Sequence, residues 1–380
     1  PKPIRIATPH GPWATWSLTA SLAVVAAVIH FGIGPSSDPG VLMRAGAMVR
    51  GRIDAGEWWR LISCVFIHVG MVHLAVNAIG LYFLGRIVEE LFGISRTIAI
   101  YGGAGVAGAI ASYLASPVGM SAGASGAIFG VLGAVFIELT LHRQRYRAAW
   151  KRGMWGGLVV VTVAQAGIGF LYPVIDQWAH GAGLVGGMML GAVLSPSVRW
   201  ARFGLQAGRV LAAAFIAVSV AAAVLVARTS LVDSLENEGP LTRHELGKVA
   251  VTAPSTWIGR GDLTDPDNLL IVSFESQDVK AVPVQLAEWI VKSAANAKER
   301  GFETVEPALD HVIALPAGWE GTEQIAGLED ALEHPQRYRL VIAGKQFGDQ
   351  LILMRLFVPD TVARAAPHIF EQLIATVGPR

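Results

Sequence analysis

The sequence predicts an α-helical polytopic membrane protein followed by a small α+β domain. Three observations carry that reading. Of 380 residues, 53% are hydrophobic and only 16% are charged, and the mean hydropathy is +0.48; a water-soluble chain of this size is far less apolar. Seven runs, near residues 13–33, 61–84, 97–115, 121–141, 154–171, 177–195 and 210–227, are long enough to cross a bilayer, which takes about 20 apolar residues in a helix. Charge divides the chain. Residues 1–228 carry 17 Lys+Arg against 7 Asp+Glu, a net +10, and residues 229–380 carry 13 against 22, a net −9. Opposite balances of this size point to two regions in different surroundings.

The first run is too long for a signal peptide, lacks a small-residue cleavage site and is followed by six more, so it reads as a membrane helix. Basic residues cluster on one side of the predicted spans. They are Lys2 and Arg5, Arg86 and Arg96, the HRQRYRAAWKR segment with Arg143 to Arg152, and Arg199, Arg202 and Arg209. The short connections SPVGM and YPVIDQ on the other side carry no Lys or Arg. The positive side is cytoplasmic in short loops. The N-terminus is therefore expected inside, the region after the seventh run outside, and a bacterial-type inner (plasma) membrane is the expected location. The long first loop, with Arg44, Arg50, Arg52 and Arg60, breaks the pattern, and long loops follow the rule weakly. Cys64 is the lone cysteine, which excludes an intrachain disulfide. No Cys/His spacing suits zinc, and no glycine-rich loop suits a phosphate. No metal, cofactor or nucleic-acid partner is expected.

Runs two, four and six point the same way across the membrane, and each carries polar groups: His68, His73 and Asn77 on two, Ser125 on four, His180 on six. Ser125 lies 18 residues before Arg143 and His180 lies 19 before Arg199. At about 1.5 Å per residue both sit ~27–28 Å from the basic inner edge, and so share a level. Counted from Arg86, His73 and Asn77 come out deeper. Gly126 and Gly130 on run four, and Gly183, Gly187 and Gly191 on run six, are spaced by four. Such small faces let helix backbones approach closely. Close approach would bring the Ser125 hydroxyl to the His180 imidazole, and a serine becomes a nucleophile only when a base takes its proton. His73 and Asn77, at i and i+4, can aim at one point and with the Ser125 N–H offer an oxyanion three donors. Each residue alone also has a structural reading: a serine packed between glycines, a histidine lining water, an asparagine tying helices. Their convergence on three same-direction helices favours chemistry, because polar groups in lipid are costly. Asp176 falls only at the outer mouth of run six, so a Ser–His dyad is expected rather than a triad.

These residues resemble the rhomboid family of intramembrane serine proteases over roughly residues 13–195. Trp59-Arg60 in the first loop, His68, the His73-xxx-Asn77 pair, Gly85, Glu89 and Gly93, the Gly123-x-Ser125-Gly126 motif, and Ala179-His180-xx-Gly183-xxx-Gly187 all occur in the family's order. The resemblance implies a six-helix core at 1–195, with Ser125 as nucleophile and His180 as general base and then acid. It implies an oxyanion hole of His73, Asn77 and the Ser125 N–H. It also implies a first loop tied down by Arg60, the fifth span as a lateral gate, and YPVIDQ as a cap. Phe129 stands where many members have tyrosine; it can stack on His180 but donates no hydrogen bond. Residues 196–228 then add a basic loop and a seventh span, giving a six-plus-one layout.

Residues 229–240 read as a polar linker and 241–380 as an extracytoplasmic α+β domain. NLLIVSFES, HVIALP, RYRLVIAG and DQLILMRLFV look like strands, while VPVQLAEWIVKSAANAKERG and AAPHIFEQLIATV look like helices. The Pro254–Trp257 and Pro316–Trp319 patterns faintly resemble a PsbP-like sandwich, or are turns with anchored tryptophans. A recognition module for an extracytoplasmic protein partner is the expectation for this domain. For the whole chain the leading reading is a serine endopeptidase cutting transmembrane protein substrates in the lipid bilayer. The alternatives are a catalytically silent rhomboid-like escort factor, which predicts loss of Ser or His, and a small transporter, which predicts broken helices or an internal repeat.

Overall fold

The computed structural model describes residues 11–116, 120–142, 144, 146, 156, 176–229, 240–260, 262–265, 270–278, 282–299, 304–328 and 336–380. Apart from Gly156, the expected fifth span lies outside these residues, as do 172–175 of the cap segment and 230–239 of the linker. In chain order the helices are α1 (Trp13–Gly32), α2 (Pro39–Ala45), α3 (Arg50–Asp54), α4 (Arg60–Ser63), α5 (Gly70–Phe92), α6 (Ile94–Ala115), α7 (Ser125–Leu141), α8 (Gln177–Leu194), α9 (Ala201–Arg228), α10 (Val282–Glu299), α11 (Asp360–Ala365) and α12 (Pro367–Ala375). The strands are β1 (Met48–Val49), β2 (Met120–Ser121), β3 (Leu241–Leu246), β4 (Val249–Pro254), β5 (Ile258–Arg260), β6 (Asp262–Thr264), β7 (Ile271–Asp278), β8 (Thr304–Pro307), β9 (Glu320–Leu328), β10 (Gln336–Phe347), β11 (Gln350–Pro359) and β12 (Gly378–Pro379). The chain divides into two compact units. One holds residues 1–32, 46–48 and 59–227, and the other 33–45, 49–58 and 228–380.

In the first unit α1, α5, α6 and α9 are long and apolar enough to cross a membrane, and α7 is a shorter apolar helix. Phe31, Phe83, Leu114 and Val210 stay exposed on them. A surface of that kind suits lipid, where a helix satisfies its backbone groups internally. The chain is a polytopic helical membrane protein. Buried Glu89 near the end of α5 accepts Ala14 N–H (2.9 Å), Thr15 N–H (2.8 Å) and the Thr15 hydroxyl (2.8 Å). It thereby occupies the positive N-terminal end of α1, where orphan amides favour an anion.

The second hydrophobic run is not one continuous helix. Residues 60–66 form α4 and a 3₁₀ turn, Ile67 is extended (φ −93°, ψ 145°), and α5 begins at Gly70 with φ +72°. Arg60, 3% exposed, donates to the Ala47 carbonyl at 3.0 Å and so ties the start of α4 to the loop before it. A hydropathy window registers apolar content and not such a break. Because α5 continues past Arg86 to Phe92, Arg86 does not mark its end. The greater depth inferred for His73 and Asn77 came from that landmark.

The second unit is built on an antiparallel sheet of order β5-β6-β7-β11-β10-β9-β8, with a smaller sheet β12-β4-β3. On β10 and β11, Leu340, Ile342, Leu351, Leu353 and Phe357 share one face and pack with Leu286 and Trp289 of α10. The intervening Val341, Ala343, Ile352, Met354, Leu356 and Val358 are also buried. Both faces are covered, which is why these strands read as nearly continuous apolar runs instead of alternating ones. HVIALP, expected as a strand, runs as a loop: the Val312 and Ile313 amides donate to the Glu323 carboxylate (3.0 and 2.8 Å) and not to a ladder. Fully buried Arg339 gathers Glu323 (2.5 Å), Asp360 (2.6 Å) and Asp310 (3.3 Å) around its guanidinium, so its charge is paired as burial requires. Trp257 and Trp319 are each buried behind a turn whose Trp N–H donates to the proline carbonyl three residues back (3.0 and 3.1 Å).

Candidate active site

Ser125 is the first residue of α7. Its N–H therefore belongs to the helix end, where amides lack an intrahelical partner. His180 lies in the first turn of α8 and His73 in the first turn of α5. Ser125, His180 and His73 thus stand in the first turns of three helices, and Asn77 lies one turn further along α5.

The His180 Nε2 and Ser125 Oγ atoms are 2.8 Å apart, a hydrogen bond. His180 is 8% exposed, and the Phe129 ring stacks on its imidazole with centroids 4.4 Å apart and planes at 19°. One helical turn separates Ser125 from Phe129, so α7 presents both to the same imidazole.

Glycines set the distance between α7 and α8. A Cβ on Gly183 would run into the Gly126 carbonyl oxygen, and one on Gly187 into that of Gly130. A Cβ on Gly130 would in turn meet Ala104 of α6. Backbone thus touches backbone along the pair, and both side chains reach the space between.

Gly123 shapes the other side. Its φ is +146°, and a Cβ there would lie 2.9 Å from His73 Cε1, 3.2 Å from His73 Nε2 and 3.7 Å from Ser125 Oγ. That conformation and that crowding both require glycine. His73 thus borders the same small volume as the Ser125 hydroxyl. Asn77, 5% exposed, donates one amide hydrogen to the His73 carbonyl at 2.9 Å. His68 is buried edge-on to His73 (5.3 Å between centroids, 69°) and accepts the Ala124 N–H at 3.4 Å. Trp59 precedes α4, and Arg60 begins it.

Two residues carry more than their sequence position suggested. Asp176 is the N-cap of α8, accepting the Ala179 N–H at 3.1 Å, and its other oxygen accepts from the Ser112 hydroxyl of α6. It fixes the helix start one turn before His180. An aspartate directly before an apolar periodic run is an N-cap signal, so the sequence held that clue. Glu138 is 1% exposed at the far end of α7 and accepts several hydroxyls.

Residues 55–197 match the Rhomboid domain. This chain is a member of the rhomboid family. It is 38% identical over 161 residues to Rhomboid protease GluP of Bacillus subtilis, covering 42% of this chain and 31% of that protein. It is 39% identical over 164 residues to RHOMBOID-like protein 5 of Arabidopsis thaliana (43% of this chain, 52% of that one). Against the putative rhomboid protease YdcA of Bacillus subtilis it is 34% identical over 136 residues (36% and 66%). The rhomboid match spans about a third to a half of the length of the first two relatives. Among solved structures, cyanobacterial PsbP from Synechocystis aligns with 37% of this chain and 92% of its own, at 11% identity and a TM-score of 0.26.

Proposed function

We propose that this rhomboid is an active intramembrane serine protease that hydrolyses peptide bonds within or beside transmembrane segments through a Ser125–His180 dyad. The observation that carries the reading is the 2.8 Å contact between Ser125 Oγ and His180 Nε2 at two helix N-termini.

His180 Nε2 takes the Ser125 proton as Oγ attacks the scissile carbonyl carbon. The resulting oxyanion accepts hydrogen bonds from the Ser125 N–H, His73 and Asn77; such donors stabilise the transition state because they are fixed before charge develops. The imidazolium then protonates the leaving amine, the C–N bond breaks, and an acyl-enzyme remains. His180 next deprotonates a water that attacks the ester, and the proton returns to Oγ as the acid product leaves. Phe129 holds the imidazole plane during both transfers. Substrate helices hide their carbonyls in hydrogen bonds, so cleavage belongs at segments weakened by glycine or proline, with a small residue before the scissile bond.

The finer architecture belongs to the same proposal: six spans carrying the site plus a seventh, a cytoplasmic N-terminus, a plasma-membrane location, and residues 241–380 outside. A silent escort factor is the second reading; the retained Ser125 and His180, in bonding contact, argue against it. Purified wild type and Ser125→Ala, each incubated with a transmembrane reporter, separate the two. The protease reading requires products from wild type alone. Cleavage by both proteins, or by neither, overturns it.

A further inference from the structure

The carboxylate of Glu138 stands at the opposite end of α7 from Ser125. It is 1% exposed and outside the proposed mechanism. It accepts the Ser195 hydroxyl at 2.6 Å, the Ser197 hydroxyl at 2.6 Å and the Tyr146 hydroxyl at 2.9 Å, and it lies 3.2 Å from His142 Nδ1. Ser195 Oγ in turn accepts the Ser197 N–H at 3.0 Å. A carboxylate offers about four lone-pair sites, and these partners use them. Tyr146 and His142 follow α7 directly. Ser195 is the C-cap of α8, and Ser197 lies two residues beyond it. A single buried anion therefore joins the inner ends of the two helices that carry the dyad.

Geometry gives that junction leverage. Glu138 is 13 residues from Ser125 and Ser195 is 15 from His180; at about 1.5 Å rise per residue the arms are ~20 and ~22 Å, nearly matched. Between the two ends the contact is largely small residue against backbone, as at Gly183 on Gly126 and Gly187 on Gly130, so it is close and apolar. The outer end of α8 is tied by Asp176 to Ser112, a residue of α6. Polar ties between α7 and the α8 segment among the described residues include Ser125–His180 and the Glu138 cluster. Slippage of α8 along α7 would open the dyad contact directly.

We infer that Glu138 is a positioning residue. By clamping α8 to α7 it holds the His180 ring at bonding distance from Ser125 for catalysis. The inference rests on the protease reading for its consequence, though the clamp itself can be measured separately.

The test compares wild type, Glu138→Leu, Glu138→Gln and the double variant Ser195→Ala/Ser197→Ala in detergent. Two readouts are taken: the rate at which a fluorophosphonate labels Ser125, and hydrogen exchange along residues 177–194. Leucine accepts nothing; glutamine keeps an acceptor, and its amide can donate to hydroxyls that rotate. Folded Glu138→Leu should exchange faster along α8 and label at least about tenfold more slowly, since a displacement of ~1 Å can cost up to 10²-fold. For a transmembrane reporter kcat should fall while KM stays within about twofold, because the clamp is remote from the substrate. Glutamine should restore most of the rate. If the leucine variant does not fold, the double serine variant carries the same expectation at reduced size. Wild-type labelling and exchange in folded Glu138→Leu, or in the folded double serine variant, overturn the clamp. Faster exchange together with an unlabelled wild type would leave the clamp standing and remove Ser125 as nucleophile.

Discussion

Phe129 lies flat against the imidazole of His180, with ring centroids 4.4 Å apart and planes at 19°. The stack fixes the ring plane on one side while the Ser125 hydroxyl engages Nε2. Aromatic pairs of this type contribute about 0.5–1.5 kcal/mol beyond area burial. Phe129→Ala should therefore lower kcat about two- to thirteenfold. Phe129→Tyr keeps the stack and should retain wild-type turnover. Steady-state kinetics on a transmembrane reporter checks both. A Phe129→Ala enzyme at full rate would mean the stack does not orient the base.

Gly183 meets the Gly126 carbonyl so closely that an added methyl has no room, whereas nothing lies within 4 Å of a Cβ on Gly181. The obstacle is backbone and cannot rotate away. Gly183→Ala should push α8 off α7, destabilise the pair by about 1–3 kcal/mol and reduce cleavage by about 100-fold or more. Gly181→Ala is the matched control and should leave melting temperature unchanged. Thermal denaturation alongside cleavage assays reads both effects.

His73 borders the volume beside Ser125 Oγ, and Asn77 lies on the same helix face one turn on. If each supplies an oxyanion donor, His73→Ala and Asn77→Ala should each lower kcat by about 10²–10³ with little change in KM. Both should keep measurable turnover, unlike Ser125→Ala. A KM effect alone would assign them to substrate binding.

In the second unit Glu275 accepts the Trp289 Nε1–H at 2.8 Å. That bond, reinforced by Gln277 and nearby cations, holds its carboxyl below the ordinary value against the opposing effect of burial. A carboxyl depressed by folding stabilises the unit above its unfolded pKa, and that contribution disappears as pH falls through the folded value. Protection from hydrogen exchange in β7 and α10, corrected for intrinsic rates, should thus decline as pH drops below about 4.3. Glu275→Gln should flatten this dependence while leaving β9, three strands away in the sheet, unaffected. An identical pH profile in the variant would show that the bond is not coupled to folding.

Much of the site was legible because its signals are local. Gly123, Ser125 and Gly126 sit in one short motif. The four-residue spacing of Gly183 and Gly187 announces a close helix contact, and His180 falls at the level counted for Ser125. The four helices long and apolar enough to cross a membrane, α1, α5, α6 and α9, were legible from apolar length. Other features depend on partners distant in sequence. Nothing near Asp38 signals that its carboxylate accepts from Thr361, 2.6 Å away. Nothing near Glu323 signals that it takes the amides of Val312 and Ile313 and so turns an apolar stretch into a loop. Nothing near Glu138 signals the two serine hydroxyls it accepts, which lie 57 and 59 residues away. The break before Gly70 was hidden for a different reason: apolar content is the same in a bent hairpin and in a straight span.

The central claim is that Ser125, activated by His180, is the nucleophile. Its most direct measurement is mass spectrometry of the intact purified protein, and of its Ser125 peptide, after reaction with a fluorophosphonate. One adduct on Ser125 of the wild type is predicted, absent from Ser125→Ala and strongly slowed in a folded His180→Ala. An adduct on a different residue, or equal labelling of wild type and His180→Ala, would contradict the account.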